Sequence, residues 1–105
     1  DNMVIAREEI FGPVMCILKF KSEEEAIIRA NSSQYGLGAG IVTESVERAM
    51  RVMTQLKAGT VYVNCYDYSE PTTPFGGFKD SGIGRELGEE GLNTYLETKT
   101  IIIKK

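Results

Sequence analysis

The sequence predicts an α/β fold, in which a parallel sheet carries helices on its faces. Apolar, β-branched runs alternate with amphipathic stretches in the order strand, helix, strand, helix, strand. Strands joined by helical crossovers run parallel, and in open sheets of this kind ligands bind beyond the carboxyl ends of the strands. The 105 residues suffice for one domain with a modest core, and no repeat or linker divides them.

The composition argues against several classes of function. The net charge is -3 and no basic stripe is present, which argues against nucleic acid or an anionic membrane as a partner. No apolar run approaches the roughly 20 residues that span a bilayer. Because no signal-peptide pattern is visible, we expect a cytoplasmic or mitochondrial protein and not a secreted one. With no histidine, the chain alone cannot supply a Ser-His or Cys-His catalytic pair.

The two cysteines, Cys16 and Cys65, lie inside apolar runs, and we expect both to be small buried hydrophobic residues. Two cysteines make neither a disulfide framework nor a zinc set, so no metal site is expected. The first residues run straight into patterned sequence, which suggests a piece of a longer protein.

The first half of the chain contains a strand, a helix and a glycine-containing strand. Residues 14–20 are almost wholly apolar, as in a strand buried on both faces. Ser22 and Glu25 match a capping box in which Glu25 accepts from the Ser22 N–H, and the helix they open reaches about Asn31. Residues 35–43 lack the glycine spacing of a phosphate loop, so they predict a strand that another backbone or side chain approaches closely.

The second half begins with the clearest helix. Residues 44–58 carry one apolar face, Ser45 can cap the helix, and Gly59 stands where a C′ glycine would end it. Residues 60–65 are β-branched and aromatic and predict a strand. A helix over residues 86–97 and a strand over 98–105 follow, and the isoleucines of that strand must be covered or pair with another chain.

The long stretch between these elements, residues 66–79, has no pattern of its own, which is typical of a binding loop or lid. It follows a strand directly, so it lies where α/β proteins bind ligands. Four aromatic side chains in it are suited to an apolar tunnel: Tyr66, Tyr68, Phe75 and Phe78.

The stretch 8–14 admits two interpretations. The Gly12-Pro13 corner can direct neighbouring side chains to one point. A carboxylate there could accept hydrogen bonds from a ribose diol while Phe11 covers a flat ring. Alternatively, the stretch is a strand-entry turn with Phe11 in the core and solvated glutamates, which composition alone favours.

Several motifs together favour the ligand-binding interpretation of residues 8–14. Glu-Ile-Phe-Gly-Pro at residues 9–13 and Pro-Phe-Gly-Gly-Phe-Lys at 74–79 are joined by Tyr-Gly-Leu at 35–37, Ala-Gly-Thr-Val-Tyr-Val-Asn-Cys-Tyr at 58–66 and Ser-Gly-Ile-Gly-Arg-Glu-Leu-Gly at 81–88. In this order and spacing they closely resemble the C-terminal part of the NAD(P)-dependent aldehyde dehydrogenase superfamily, in its class 1/class 2 (retinal and mitochondrial) branch.

The resemblance implies an enzyme that oxidises aldehydes to carboxylic acids with NAD or, as the alternative, NADP. A cysteine thiolate forms a thiohemiacetal and then a thioester, which water hydrolyses. The family's nucleophile, general base and oxyanion asparagine precede this segment, so the chain alone is expected to be inactive. Residues 1–97 would belong to the catalytic domain and residues 98–105 to an oligomerisation arm, in a dimeric or tetrameric parent.

The resemblance also implies roles for single residues. The expected coenzyme contacts are Glu9, at the nicotinamide ribose, and Phe11. Glu86 matches a possible proton relay. The expected positions around the substrate tunnel are Asn64, Asp67, Ser69 and Phe75, where Ser69 replaces a bulky aromatic residue. The expected interface residues are Arg85, Glu97, Ile101, Ile102 and Ile103.

Two alternatives to an enzyme stay open. The same fold serves as a lens crystallin in this family, so a catalytically silent structural protein would keep these motifs. The isolated piece could also act only as an assembly module through its terminal strand.

Overall fold

Two parallel strands joined by a helix form the centre of the structure. The computed structural model describes residues 1–105. In it β2 (Gly38–Ile41) pairs in parallel with β3 (Thr60–Val63), and α2 (Val46–Met53) connects them. A short 3-10 helix, Val4–Ala6, lies near the start of the chain. The strand-helix-strand unit confirms the predicted α/β class.

The first helix, α1 (Glu23–Asn31), begins at the predicted cap. The Ser22 hydroxyl accepts a hydrogen bond from the Glu25 N–H at 3.2 Å. The Glu25 carboxylate reaches back as a capping box requires, but it accepts from the Lys21 N–H at 2.8 Å and not from that of Ser22. The side chain thus serves the residue before the cap, where the extended chain enters the helix.

The second helix is shorter than predicted. Ser45 caps its start by accepting from the Arg48 N–H at 3.2 Å, as expected. The helix ends at Met53, so Gly59 is not its C′ residue. Gly59 instead lies where the backbone is crowded, because a Cβ there would stand 1.6 Å from the Gly76 carbonyl oxygen.

A second strand pair is antiparallel, so the predicted parallel sheet is formed by β2 and β3 only. β1 (Tyr35–Gly36) pairs with β4 (Phe78–Lys79), which lies inside the stretch predicted as a loop. The predicted strand 35–43 is therefore divided between two pairs. The close approach predicted for its glycines is confirmed at Gly36, where a Cβ would stand 2.5 Å from the Lys57 carbonyl oxygen.

Two predicted strands do not form. Residues 14–20 and 98–105 belong to no β-ladder, and no strand of this chain pairs with their backbone groups. Their apolar side chains are exposed, and Ile102 keeps 88% of its surface accessible. Cys16 and Cys65 are also exposed, contrary to expectation, since the runs that carry them are not covered.

The last helix, α3 (Gly88–Asn93), is shorter than the predicted 86–97. Glu86 is held extended by backbone pairing with Phe75, and Leu87 has a φ of 60°, outside the right-handed helical region. The core is small: the buried hydrophobic side chains are Ile27 of α1 with Ala49 and Val52 of α2. Each of the three helices is too short or too polar to cross a bilayer.

Candidate functional site

Asn64 joins the carboxyl ends of the two parallel strands. It follows β3 directly and has a φ of 55°, which turns the chain away from the sheet. Its Oδ1 accepts from the Thr43 N–H at 2.8 Å, and its Nδ2 donates to the Thr43 carbonyl at 2.9 Å. The amide thereby substitutes for a strand residue and fixes the edge of the sheet at which α/β proteins bind ligands.

The loop after Asn64 is exposed. Asp67 has a φ of 53°, and neither its side chain nor that of Ser69 makes a hydrogen bond. The Tyr68 hydroxyl donates to the Glu70 carboxylate, and this hydrogen bond raises the pKa of Tyr68 because it favours the protonated phenol. Asp67 and Ser69 therefore remain free for a partner, while Tyr68 is engaged within the loop.

An open cavity of about 840 Å³ lies between the 75–87 segment and α3. Phe75 and Glu86 form one wall, because their backbones exchange two hydrogen bonds of 2.7 Å. Phe75 keeps 37% of its surface accessible. Phe75, which the resemblance places at the substrate tunnel, and Glu86, which it matches to a proton relay, thus lie side by side on the same surface.

Arg85 stabilises the 75–87 segment through contacts within it. Its Nη1 donates to the carbonyls of Gly77 at 3.0 Å and Gly84 at 2.7 Å, and the guanidinium carbon lies 5.5 Å from the centre of the Phe78 ring. A methyl group at Gly76 would stand 2.8 Å from the Arg85 side chain, so the Gly76 backbone and Arg85 are closely packed. Arg85 is therefore committed to contacts inside the chain, and it makes no ion pair with the exposed Glu97.

Glu9 lines a second cavity, of about 510 Å³, together with Ile5, Tyr35 and Gly38. Its carboxylate makes no hydrogen bond or ion pair within the chain, so both oxygens are available to a ligand. Phe11 does not line this cavity and keeps 94% of its surface accessible. The two predicted coenzyme contacts are thus near in sequence but are not brought together in this chain.

Leu37 and Ser81 line both cavities. The surface that carries Glu9 is therefore adjacent to the surface that carries Phe75 and Glu86. Sequence reasoning did not single out Ser81 or Leu37, since neither a serine in a glycine-rich turn nor a lone leucine is distinctive. The only signal was that Leu37 and Ser81 each fall inside a motif shared with the family.

The remaining candidates lie apart from the cavities. The side chains of Ile101, Ile102 and Ile103 are exposed and line neither cavity. Asn64, Asp67 and Ser69 also lie outside both. No three His, Cys, Asp or Glu side chains are grouped so that they could hold a metal ion.

Comparison with known proteins gives one consistent result. Residues 1–101 match the aldehyde dehydrogenase family. The mitochondrial aldehyde dehydrogenase of Sus scrofa is 58% identical over 99% of this chain and 20% of its own length. Human retinaldehyde dehydrogenase 3 is 57% identical over 99% of this chain and 20% of its own length.

A solved structure agrees with these sequence relatives. The NAD+ complex of an aldehyde dehydrogenase from Bacillus cereus superimposes with a TM-score of 0.88 and 52% identity, over 91% of this chain and 20% of that one. This chain therefore spans about a fifth of the length of each of these three relatives. A match over nearly all of its residues shows that the chain belongs to the aldehyde dehydrogenase family.

Proposed function

We propose that this chain is part of an enzyme that oxidises aldehydes to carboxylic acids with NAD+. The observation that carries the proposal is the 58% identity with a mitochondrial aldehyde dehydrogenase over almost the whole chain. The cysteine nucleophile, general base and oxyanion asparagine of such an enzyme would lie outside these residues. The chain would supply a coenzyme contact, part of the substrate tunnel and part of a subunit interface.

Glu9 is the proposed contact to the coenzyme. Glu9 lines a cavity, its carboxylate has no intramolecular partner, and a carboxylate can accept from both hydroxyls of a ribose. NAD+, when bound, accepts the hydride that leaves the substrate carbon. Glu9 would hold the nicotinamide ribose in place for that step, and Phe11, which is exposed here, would pack near the same nucleoside.

Phe75 and Glu86 are the proposed substrate-side residues in this chain. Phe75 lines the larger cavity and is partly exposed, and an aromatic side chain there suits the apolar part of an aldehyde. Glu86 lies beside it and would relay a proton between the site and solvent. Asn64 would shape the entrance through its hold on Thr43, and the free side chains of Asp67 and Ser69 would line it.

The terminal segment is the proposed interface. Residues 98–105 would form a strand of an oligomerisation arm, separate from a catalytic part over residues 1–97. Their unpaired backbone and the three exposed isoleucines support pairing with a neighbouring subunit of a homo-oligomer. Glu97 precedes this strand and would help to order the same interface, and Arg85 would do so indirectly, through its contacts within the chain.

The experiment uses the full-length protein and measures aldehyde-dependent formation of NADH. We expect turnover with a simple aliphatic aldehyde, and its absence would favour a catalytically silent structural protein instead. Glu9→Gln should raise the KM for NAD+ about tenfold or slow hydride transfer, because an amide accepts ribose hydrogen bonds less strongly than a carboxylate. Glu44→Gln, an exposed glutamate that lines neither cavity, is the control. Unchanged kinetics in Glu9→Gln would remove Glu9 from the site.

A further inference from the structure

Ser81 lies in the wall between the Glu9 cavity and the Phe75–Glu86 cavity. We propose that Ser81 is a positioning residue that sets the shape of both the coenzyme side and the substrate side at once. This inference rests on the proposed function, because it takes the two cavities to be those two sides of one active site.

The Ser81 hydroxyl is tied to the opposite segment. Its Oγ accepts from the Gly36 N–H at 2.9 Å, across the antiparallel pair of β1 and β4. The adjacent Asp80 N–H donates to the Gln34 carbonyl at 3.1 Å, which continues the same set of cross-links. The turn that carries Ser81 is thus attached to residues 34–36 beyond the two-residue strands.

Ser81 is also in close contact with Gly77. A Cβ at Gly77 would stand 2.4 Å from the Ser81 Cβ, so the two backbones are in close contact. Ser81 therefore has a fixed position between Gly77 and Gly36, and its oxygen transmits that position to Gly36 through one hydrogen bond. Without the oxygen, the direct hydrogen bond from the Gly36 N–H to the turn is lost, while the Asp80–Gln34 hydrogen bond and the β1–β4 pairing remain.

A change in the position of Gly36 would affect both cavities through Leu37. It follows Gly36 directly and lines the two cavities together with Ser81. The Leu37 carbonyl also accepts from the Thr60 N–H at 3.1 Å, at the start of β3. A shift of Gly36 would move Leu37, and this single movement would alter the wall that faces NAD+ and the wall that faces the aldehyde.

The test is steady-state kinetics of the full-length enzyme carrying Ser81→Ala. We expect the KM for NAD+ and the KM for the aldehyde to rise together, each about fivefold, the factor associated with losing one ordinary hydrogen bond. The value of kcat should stay within about twofold of wild type, since Ser81 touches no reacting atom. Ser32→Ala is the matched control: it removes a hydroxyl that donates to the Arg29 carbonyl at 2.7 Å and lines neither cavity.

A second variant separates the hydrogen bond from packing and serves if Ser81→Ala does not fold. Ser81→Cys keeps a γ atom at this position, a somewhat larger one, but replaces the oxygen with a weak acceptor, so it should raise both KM values as the alanine variant does. Wild-type kinetics in Ser81→Cys, or a rise in only one KM, would refute the proposal. An inactive wild-type enzyme would instead refute the proposed function itself.

Discussion

At the scale of single residues, glycine contacts hold the central strands against the loop that forms the cavity wall. The Gly59 N–H donates to the Gly36 carbonyl at 2.9 Å, at the start of β3. On its other side Gly59 faces the Gly76 backbone so closely that no Cβ fits between them. The start of a central strand is thus in direct contact with the segment that carries Phe75.

Gly59→Ala should therefore destabilise the full-length protein strongly. The added Cβ would stand 1.6 Å from a backbone oxygen, which cannot move aside as the end of a side chain can. We expect a loss of about 3 kcal/mol in the free energy of unfolding, at the upper end of overpacking effects, seen as a lower Tm or as insoluble protein.

Gly38→Ala is the matched control, because its nearest neighbour would be Tyr62 Cε2 at an ordinary 3.8 Å. We expect that change to cost less than about 1 kcal/mol. Equal Tm values for the two variants would show that the backbone contact at Gly59 relaxes easily.

Asn64 illustrates what sequence reasoning at this scale can and cannot give. The predicted strand over residues 60–65 included Asn64, whereas β3 ends at Val63 and Asn64 is the first residue after it. Its hydrogen bonds to Thr43 could not be predicted, because they depend on the register of β2 against β3. Likewise Glu9 and Phe75 became candidates through sequence motifs, whereas Ser81 became a candidate only because it lines two cavities.

At the scale of elements, an ionic contact joins the two longer helices. The Arg51 guanidinium of α2 donates two hydrogen bonds to the Glu23 carboxylate of α1, at 2.6 and 2.9 Å. Arg48 lies 3.5 Å from the same carboxylate. The Arg51 hydrogen bond, with the attraction of both arginines, lowers the pKa of Glu23. A bidentate pair of this kind fixes the angle between helices more than an isolated surface pair does.

Glu23→Gln should make the stability of the protein less dependent on acid pH. Because the native pKa of Glu23 lies below its ordinary value of 4.5, the ionised carboxylate stabilises the fold above that pH. The stabilisation is lost as the pH falls through the lowered native pKa. Wild type should therefore have a slightly higher Tm than Glu23→Gln at pH 7, and the difference should vanish in strong acid.

The control for this experiment is Glu24→Gln, an adjacent exposed glutamate that makes no salt bridge. Its Tm should follow that of wild type at each pH. A Glu23→Gln variant whose Tm differs from wild type by the same amount at pH 7 and in strong acid would contradict the assigned role of the carboxylate.

The elements also show why some predictions held and others did not. Helix starts depend on local chemistry, so the caps at Ser22 and Ser45 were read directly from the sequence. Strands depend on a partner, so the apolar runs 14–20 and 98–105 indicated strands that find nothing to pair with in this chain. The two-residue strands β1 and β4 are too short to leave any periodic signal.

At the scale of the whole molecule, the chain is extended and covers little of its own apolar surface. Its radius of gyration is 18.4 Å, against about 13 Å for a compact domain of this length. Six of the 105 residues are buried, and aromatic and aliphatic side chains are exposed along most of its length. Such a shape is typical of a segment whose core is completed by other parts of a protein.

The 105-residue chain produced alone should therefore not fold as a cooperative unit. Too little apolar surface is buried to offset the loss of conformational entropy, and the exposed side chains favour association. We expect binding of a hydrophobic dye, no sharp thermal transition and no aldehyde-dependent formation of NADH, whereas the full-length protein should unfold cooperatively and be active. Sedimentation of the isolated chain should show broad, concentration-dependent species. A monodisperse monomer with a sharp transition would mean that this chain stabilises its fold without further protein around it.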